Sequence, residues 1–261
     1  MAGSAAGGSA GGIPELDLRD LTARWASDPE GPIDLAPTTL RIAPGEHVVI
    51  TGANGVGKST LLAVIARALD PVAGRYAVGG ADVRDLPLAQ ARSLLAIVDD
   101  EPHVFASTVR ENLRLASPGA TESGPDSDDG ELLAALGRAG LATWFAGLPD
   151  GLDTMLGTGW RGLSGGERAR LALARAHVSG RPIVLLDEPV AHLDHATAVA
   201  VLRDVHAGFA GRTVVMVSHR PDGVEEFDRV IELGETASEP LPLAAESHGI
   251  RNNRRGEHRD A

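Results

Sequence analysis

Lys58 is the only lysine in the chain, and it lies within Gly52-Ala53-Asn54-Gly55-Val56-Gly57-Lys58-Ser59; every other basic side chain among the 24 Lys+Arg is arginine. The segment fits G-x-x-x-x-G-K-[ST] at each fixed position. An ammonium is a compact charge on a flexible stem and can reach between two phosphates, whereas a planar guanidinium is too broad for that space. The glycines let successive backbone N–H groups converge on one anion. Ser59 offers a hydroxyl to Mg²⁺. The chemistry implied is the binding of a nucleoside triphosphate, with Gly52, Asn54, Gly55, Gly57, Lys58, Ser59 and Thr60 as the phosphate-binding set.

Two further segments suit the same chemistry. Ile183-Val184-Leu185-Leu186-Asp187-Glu188 is an apolar run ending in two carboxylates. Asp187 is placed to hold Mg²⁺ largely through its water shell. Glu188 is placed to polarise an attacking water as general base. Leu163-Ser164-Gly165-Gly166-Glu167 opens a helical stretch. Ser164 is a good N-cap, and Gly165 and Gly166 leave the first N–H groups open to a second anion. One nucleotide does not need two such sites, whereas two chains facing head to tail would use both.

These segments need a frame that brings them together. Strand-like apolar runs occur at 47–51, 95–98, 183–186, 213–217 and 229–233, and helical stretches at 58–69, 131–138, 167–178 and 196–209. Strands alternating with helices predict a mostly parallel sheet covered on both faces, with ligands beyond the carboxyl ends of the strands. Residues 1–12 and 235–261 read as a flexible linker and a disordered tail, the latter bearing Arg251, Arg254, Arg255 and Arg259; 117–130 reads as an exposed loop. The folded block is 13–234, with a mainly helical subdomain inserted at 86–163.

Bulk composition narrows the classes. Aromatics make up 3% of the chain, so aliphatic residues and alanine must build the core. A net charge of -12 argues against a nucleic-acid surface. The absence of cysteine excludes disulfides and thiolate metal sites and permits a reducing cytosol. No apolar run reaches the ~18 residues of a membrane span, so the chain by itself is expected to be soluble.

The order of phosphate loop, LSGGE, apolar strand ending in Asp-Glu, and Ser218-His219 resembles the nucleotide-binding domain of ATP-binding cassette (ABC) proteins over residues 16–233. The resemblance implies an α/β P-loop NTPase fold and Mg²⁺-dependent ATP hydrolysis, with each site pairing the phosphate loop of one domain with the signature residues Ser164, Gly165, Gly166 and Glu167 of a second. It also implies that Trp25, 27 residues before Gly52, stacks on adenine, that His219 contacts the γ-phosphate, and that Ala191-His192-Leu193-Asp194 links the two sites. Asp100 stands where the family carries a glutamine and offers a hard oxygen ligand to Mg²⁺. Ala191-His192 replaces the usual Ser-Ala, and Thr158 a usual glutamate.

The stretches 102–113 and 148–154 look like those of exporters. Asp99-Asp100-Glu101-Pro102 together with 188–194 resembles the CydC-type subunit of the bacterial thiol or haem exporter needed for cytochrome bd assembly. That implies a membrane-spanning partner domain, a second cassette in a heterodimer, and a place on the cytoplasmic face of the bacterial plasma membrane. The alternatives are a soluble non-transport ABC ATPase of DNA repair or translation and a catalytically dead cassette. Neither long coiled coils, zinc modules nor a second cassette is visible, and Glu188 and His219 are both present.

Overall fold

The computed structural model describes residues 12–25, 31–117, 129–157, 162–220 and 223–234. The parallel sheet is built from β3 (His47–Thr51), β6 (Leu95–Val98), β7 (Ile183–Asp187), β8 (Thr213–Val217) and β9 (Arg229–Glu232), in the order β6-β7-β8-β3-β9. Each strand lies within a residue of its sequence reading, because each is a short apolar run.

Alternate residues of these strands enter two different cores. Val48, Ile50, Ile183, Leu185, Val215 and Val217 pack on one face with α1 (Lys58–Ile65). Val49, Val184, Leu186, Val214 and Met216 pack on the other with helices. Burial on both faces of β3, β7 and β8 is why these strands read as unbroken apolar runs.

The first core is closed by a second sheet absent from the sequence reading. β1 (Leu16–Ala23), β2 (Leu35–Ile42), β4 (Ala73–Val78) and β5 (Ala81–Asp82) form an antiparallel sheet ordered β2-β1-β4-β5. The helix read at 58–69 stops at Ile65: Arg67 takes φ 55, and the N–H groups of Ala68 and Leu69 both return to Ala63 O. This is a left-handed C-terminal stop.

The second core holds α3 (Val109–Arg114), α4 (Asp129–Arg138), α5 (Ala142–Ala146), α6 (Gly165–Val178) and α7 (His195–Gly208). Helix α7 buries Ala198, Val201, Leu202 and Val205, the i, i+3, i+4, i+7 face of an amphipathic helix. Its cap is Asp194, whose Oδ1 accepts from Thr197 N at 3.0 Å. The stretch 86–163 contains α2 (Leu88–Ser93), strand β6 of the parallel sheet, and α3 to α5. Asp129 and Gly130, read as loop, open α4. The linker at 1–11, residues 118–128, Thr158 and the tail from 235 lie outside the described residues. Aliphatic and alanine side chains dominate both cores, as the composition requires.

Candidate functional site

Strand register brings the chemistry-bearing segments level. Val98 pairs with Leu186, Asp187 with Val217, and Ile50 with Val217, so β6, β7, β8 and β3 end along one edge. Beyond that edge lie Asp99-Asp100, Asp187-Glu188, Ser218-His219 and the loop 52–59. Glu188 N donates to Val217 O and Ser218 N to Ile50 O, each at 3.1 Å, extending the ladders into the site.

The phosphate loop is shaped by its glycines. Gly52, Gly55 and Gly57 take φ values of 139, 79 and 102. A Cβ on Gly52 would stand 2.5 Å from Leu233 O, and one on Gly57 2.5 Å from Asp34 O. Lys58 is buried, its Nζ donating to Gly52 O at 2.9 Å and Ala53 O at 3.0 Å. Its ammonium is thereby held over the loop. Asn54 and Ser59 are exposed. Thr60 is buried, and its hydroxyl accepts from Trp25 Nε1 at 3.2 Å. Trp25 N donates to Asp34 Oδ2 at 2.7 Å. The indole is thus anchored at its nitrogen beside the start of α1 while 58% of the residue stays exposed. Such a ring can offer its face to a base.

Glu188 has φ 44, a left-handed conformation that costs a non-glycine residue on the order of 1–2 kcal/mol. The turn aims its carboxylate at the next loop, where Nδ1 of His219 donates to Glu188 Oε2 at 2.7 Å. The pKa of Asp187 is raised, first by burial and then by the charges of Glu188, Asp100 and Asp99, with an opposing hydrogen bond from Ser59. Asp100 is exposed, and its Oδ1 accepts from Glu101 N at 2.9 Å.

The residues fit a divalent cation. Ser59 and Asp187 present hard oxygens side by side, and the surrounding carboxylates raise the energy of ionised Asp187. Among the described residues no group of three or more His, Asp or Glu could hold a metal alone.

At the start of α6, Ser164 Oγ accepts from Glu167 N at 3.2 Å and Ser164 N donates to Glu167 Oε2 at 2.8 Å, a complete capping box. The glycines here also serve packing. A Cβ on Gly165 would lie 3.4 Å from Leu193 Cδ2, and one on Gly166 3.1 Å from Thr197 Cγ2. The signature therefore rests on the loop before α7 and on the first turn of α7.

Two arginines that sequence reading did not single out organise the surroundings. Arg220 Nη1 donates to Leu193 O at 2.8 Å and Val190 O at 3.4 Å. Arg175 on α6 donates to Asn112 O at 2.8 Å, His103 O at 2.6 Å and Asn112 Oδ1 at 2.5 Å, and lies over the Phe105 ring. Asn112 is fully buried, and its amide holds Phe105 O and Thr108 O. In a chain with many arginines, only position in space distinguishes these two.

The strand-end phosphate loop, the acidic strand end and the capped glycine pair define a nucleotide-hydrolysis domain. The ABC transporter family profile matches residues 35–191, more than half of the chain. The chain belongs to the ABC transporter family and is an ABC-type ATPase domain, with exporters among its relatives. It is 38% identical over 216 residues to the glutathione/L-cysteine transport system ATP-binding/permease protein CydC of Escherichia coli, covering 83% of this chain and 36% of that one. It is 37% identical over 199 residues to the ATP-dependent lipid A-core flippase of Thiobacillus denitrificans, covering 76% of this chain and 33% of that protein. A solved bacterial Atm1-family ABC exporter with ATP bound superposes with a TM-score of 0.73 at 30% identity, over 85% of this chain and 37% of the exporter chain. The chain spans about a third of the length of these three relatives. Among its described residues no helix is long and apolar enough to cross a membrane.

Proposed function

We propose that this domain hydrolyses ATP at the interface of two cassettes and thereby powers an exporter at the cytoplasmic face of the bacterial plasma membrane. The observation that carries the reading is the Glu188–His219 pair at the same sheet edge as Lys58 and Ser59. Adenine stacks on Trp25, and the phosphates lie in the N–H nest of 52–59 with Lys58 between the last two. Glu188 accepts a proton from the attacking water, and His219 fixes the direction of its carboxylate. Ser59 and Asp187 hold Mg²⁺, with Asp100 nearby. When bound, Mg²⁺ neutralises charge developing on the phosphate oxygens. The open N–H groups at 164–167 come from the second cassette and close on the γ-phosphate. Closing and reopening of the pair drives the membrane-spanning part.

An exposed apolar patch supports a membrane partner. Ile97, Phe105 and Leu115 are 53%, 46% and 57% exposed and line one groove with Arg175. A short apolar helix end from the membrane-spanning domain would cover them. The transported substrate is a thiol or haem for cytochrome bd assembly, in a heterodimer. Similarity to the glutathione/L-cysteine transport protein and the combination of residues 99–102 with 188–194 support this choice.

Glu188→Gln should lower turnover roughly 10²–10⁴-fold, the usual weight of a general base. Undiminished hydrolysis would remove Glu188 from the mechanism. Light scattering on that variant with Mg-ATP reports pairing: a dimer marks a self-complementary cassette, and a monomer that still binds ATP marks one needing a different partner. Once assembled with its membrane domain, hydrolysis should rise with glutathione, cysteine or haem. No response to any of them would reject the substrate class.

A further inference from the structure

A continuous line of contacts joins the general base to the signature glycines of the same chain. It begins with His219, bonded to Glu188. The next residue, Arg220, is fixed at its backbone by Ser218, whose Oγ accepts from Arg220 N and donates to Arg220 O, each at 3.1 Å. The half-buried Arg220 side chain then reaches Leu193 O and Val190 O. The Leu193 side chain in turn rests on Gly165, with Thr197 against Gly166.

Charge-assisted bonds to carbonyls are about twice as strong as neutral ones, and a guanidinium holds its acceptors in fixed directions. Within the loop 190–193, Ala191 N donates to Glu188 O at 3.0 Å and Leu193 N to Val190 O at 3.2 Å, while the Val190 side chain is buried in the helical core. Arg220 adds a side-chain tie from that loop to the segment carrying His219.

We propose that Arg220 is a positioning residue that holds the loop 190–193, and through Leu193 the signature turn 164–167, in register with the Glu188–His219 pair. This rests on the two-cassette reading, in which the pair serves one ATP and the signature turn serves the other. A shift of His219 at one γ-phosphate would then be felt by the signature turn that closes the opposite site. The partner recognised is a second cassette, and Arg220 acts through Leu193 and the loop it holds.

The test compares Arg220→Gln and Arg220→Lys in the full chain. Arg220→Gln should lower kcat about 10- to 100-fold, the scale of a misplaced reacting group, with KM for ATP changed less than about twofold. Its amides should exchange faster at 190–193 and 164–167 and at an unchanged rate at 52–59. Arg220→Lys, able to reach the nearer carbonyl, should recover part of kcat. Unchanged kcat and exchange would overturn the proposal. So would faster exchange spread evenly over the phosphate loop with equally weakened ATP binding, which marks a general loosening. Exchange in the monomer decides the role of Arg220 without requiring a dimer. An absence of pairing by the Glu188→Gln variant, with itself and with any second cassette, removes the two-cassette reading separately.

Discussion

His219 Nδ1 and Glu188 Oε2 lie 2.7 Å apart, joining the residue after β7 to the second residue after β8. A carboxylate only accepts, so the shared proton belongs to Nδ1 and Nε2 remains as the ring's other bonding atom. Removing the ring in His219→Ala frees Glu188 to turn. Turnover should fall roughly 10- to 100-fold while ATP affinity stays within about twofold, as expected for lost orientation. Steady-state kinetics together with equilibrium nucleotide binding would check this. Equal losses in both quantities would show that His219 acts in ground-state binding instead.

Asp187 carries a different liability. Burial, then Glu188, Asp100 and Asp99, raise its pKa above the usual carboxylate value, so the ionised form opposes folding. The sign follows: this penalty is present above the raised folded pKa and is relieved as pH falls through it. Asp187→Asn should therefore raise the melting temperature of nucleotide-free protein at pH 7, by roughly 2–4 °C per kcal/mol relieved. The same variant should lose Mg²⁺-dependent hydrolysis. A lowered melting temperature would show that the Ser59 bond outweighs the crowding of charge.

Trp25 is anchored by its indole nitrogen, leaving its ring free to stack. Stacking a base on an aromatic is worth about 1–3 kcal/mol, so Trp25→Ala should weaken ATP binding by roughly 5- to 150-fold, whereas Trp25→Phe should retain most of the affinity. ATP should quench tryptophan emission in the native chain, with the response lost in Trp25→Phe. Quenching that survives that substitution would place the responding ring elsewhere.

At the opposite end of the parallel sheet, His177 is buried and stacked on Phe209 with ring centroids 4.0 Å apart, and its Nδ1 has no hydrogen-bond partner. Burial, then Arg138 and Arg212, push its pKa down to about 3. In the unfolded chain it titrates near 6.5. Its full contribution to stability is present above that value and declines as pH falls toward 3. Between pH 7.5 and 5.0 the loss is about 2 kcal/mol. Urea titrations of His177→Leu should show that much less acid sensitivity than the native chain. An identical pH dependence in the two proteins would move the effect to other groups, such as His47, which burial also pushes down.

The parallel sheet was legible because doubly buried strands leave unbroken apolar runs, and the candidate loops could be placed at one sheet edge because they leave those strands directly. The antiparallel sheet was not. In β1, Asp20 takes φ 48 and the register with β2 shifts between Leu18 and Leu21, which breaks the alternation that marks a half-buried strand. Pro37 interrupts β2, and Gly74 lies within β4. The signature was read as a free anion site, yet Gly165 and Gly166 also admit Leu193 and Thr197, a requirement that exists only in three dimensions. Arg220 carries no such sign either: it reaches the main-chain carbonyls of Val190 and Leu193, which leave no mark on the sequence around them.

The glycines of the phosphate loop also bear on how binding proceeds. Gly52 is pressed against the main chain after β9 and Gly57 against the main chain before β2, so both sheets brace the loop from outside. Its curvature is set where the two sheets meet. The nucleotide therefore meets a mould already cast. Little ordering entropy would then be lost on arrival, and in the proposed two-cassette arrangement the binding energy of the phosphates would be left for drawing the pair together.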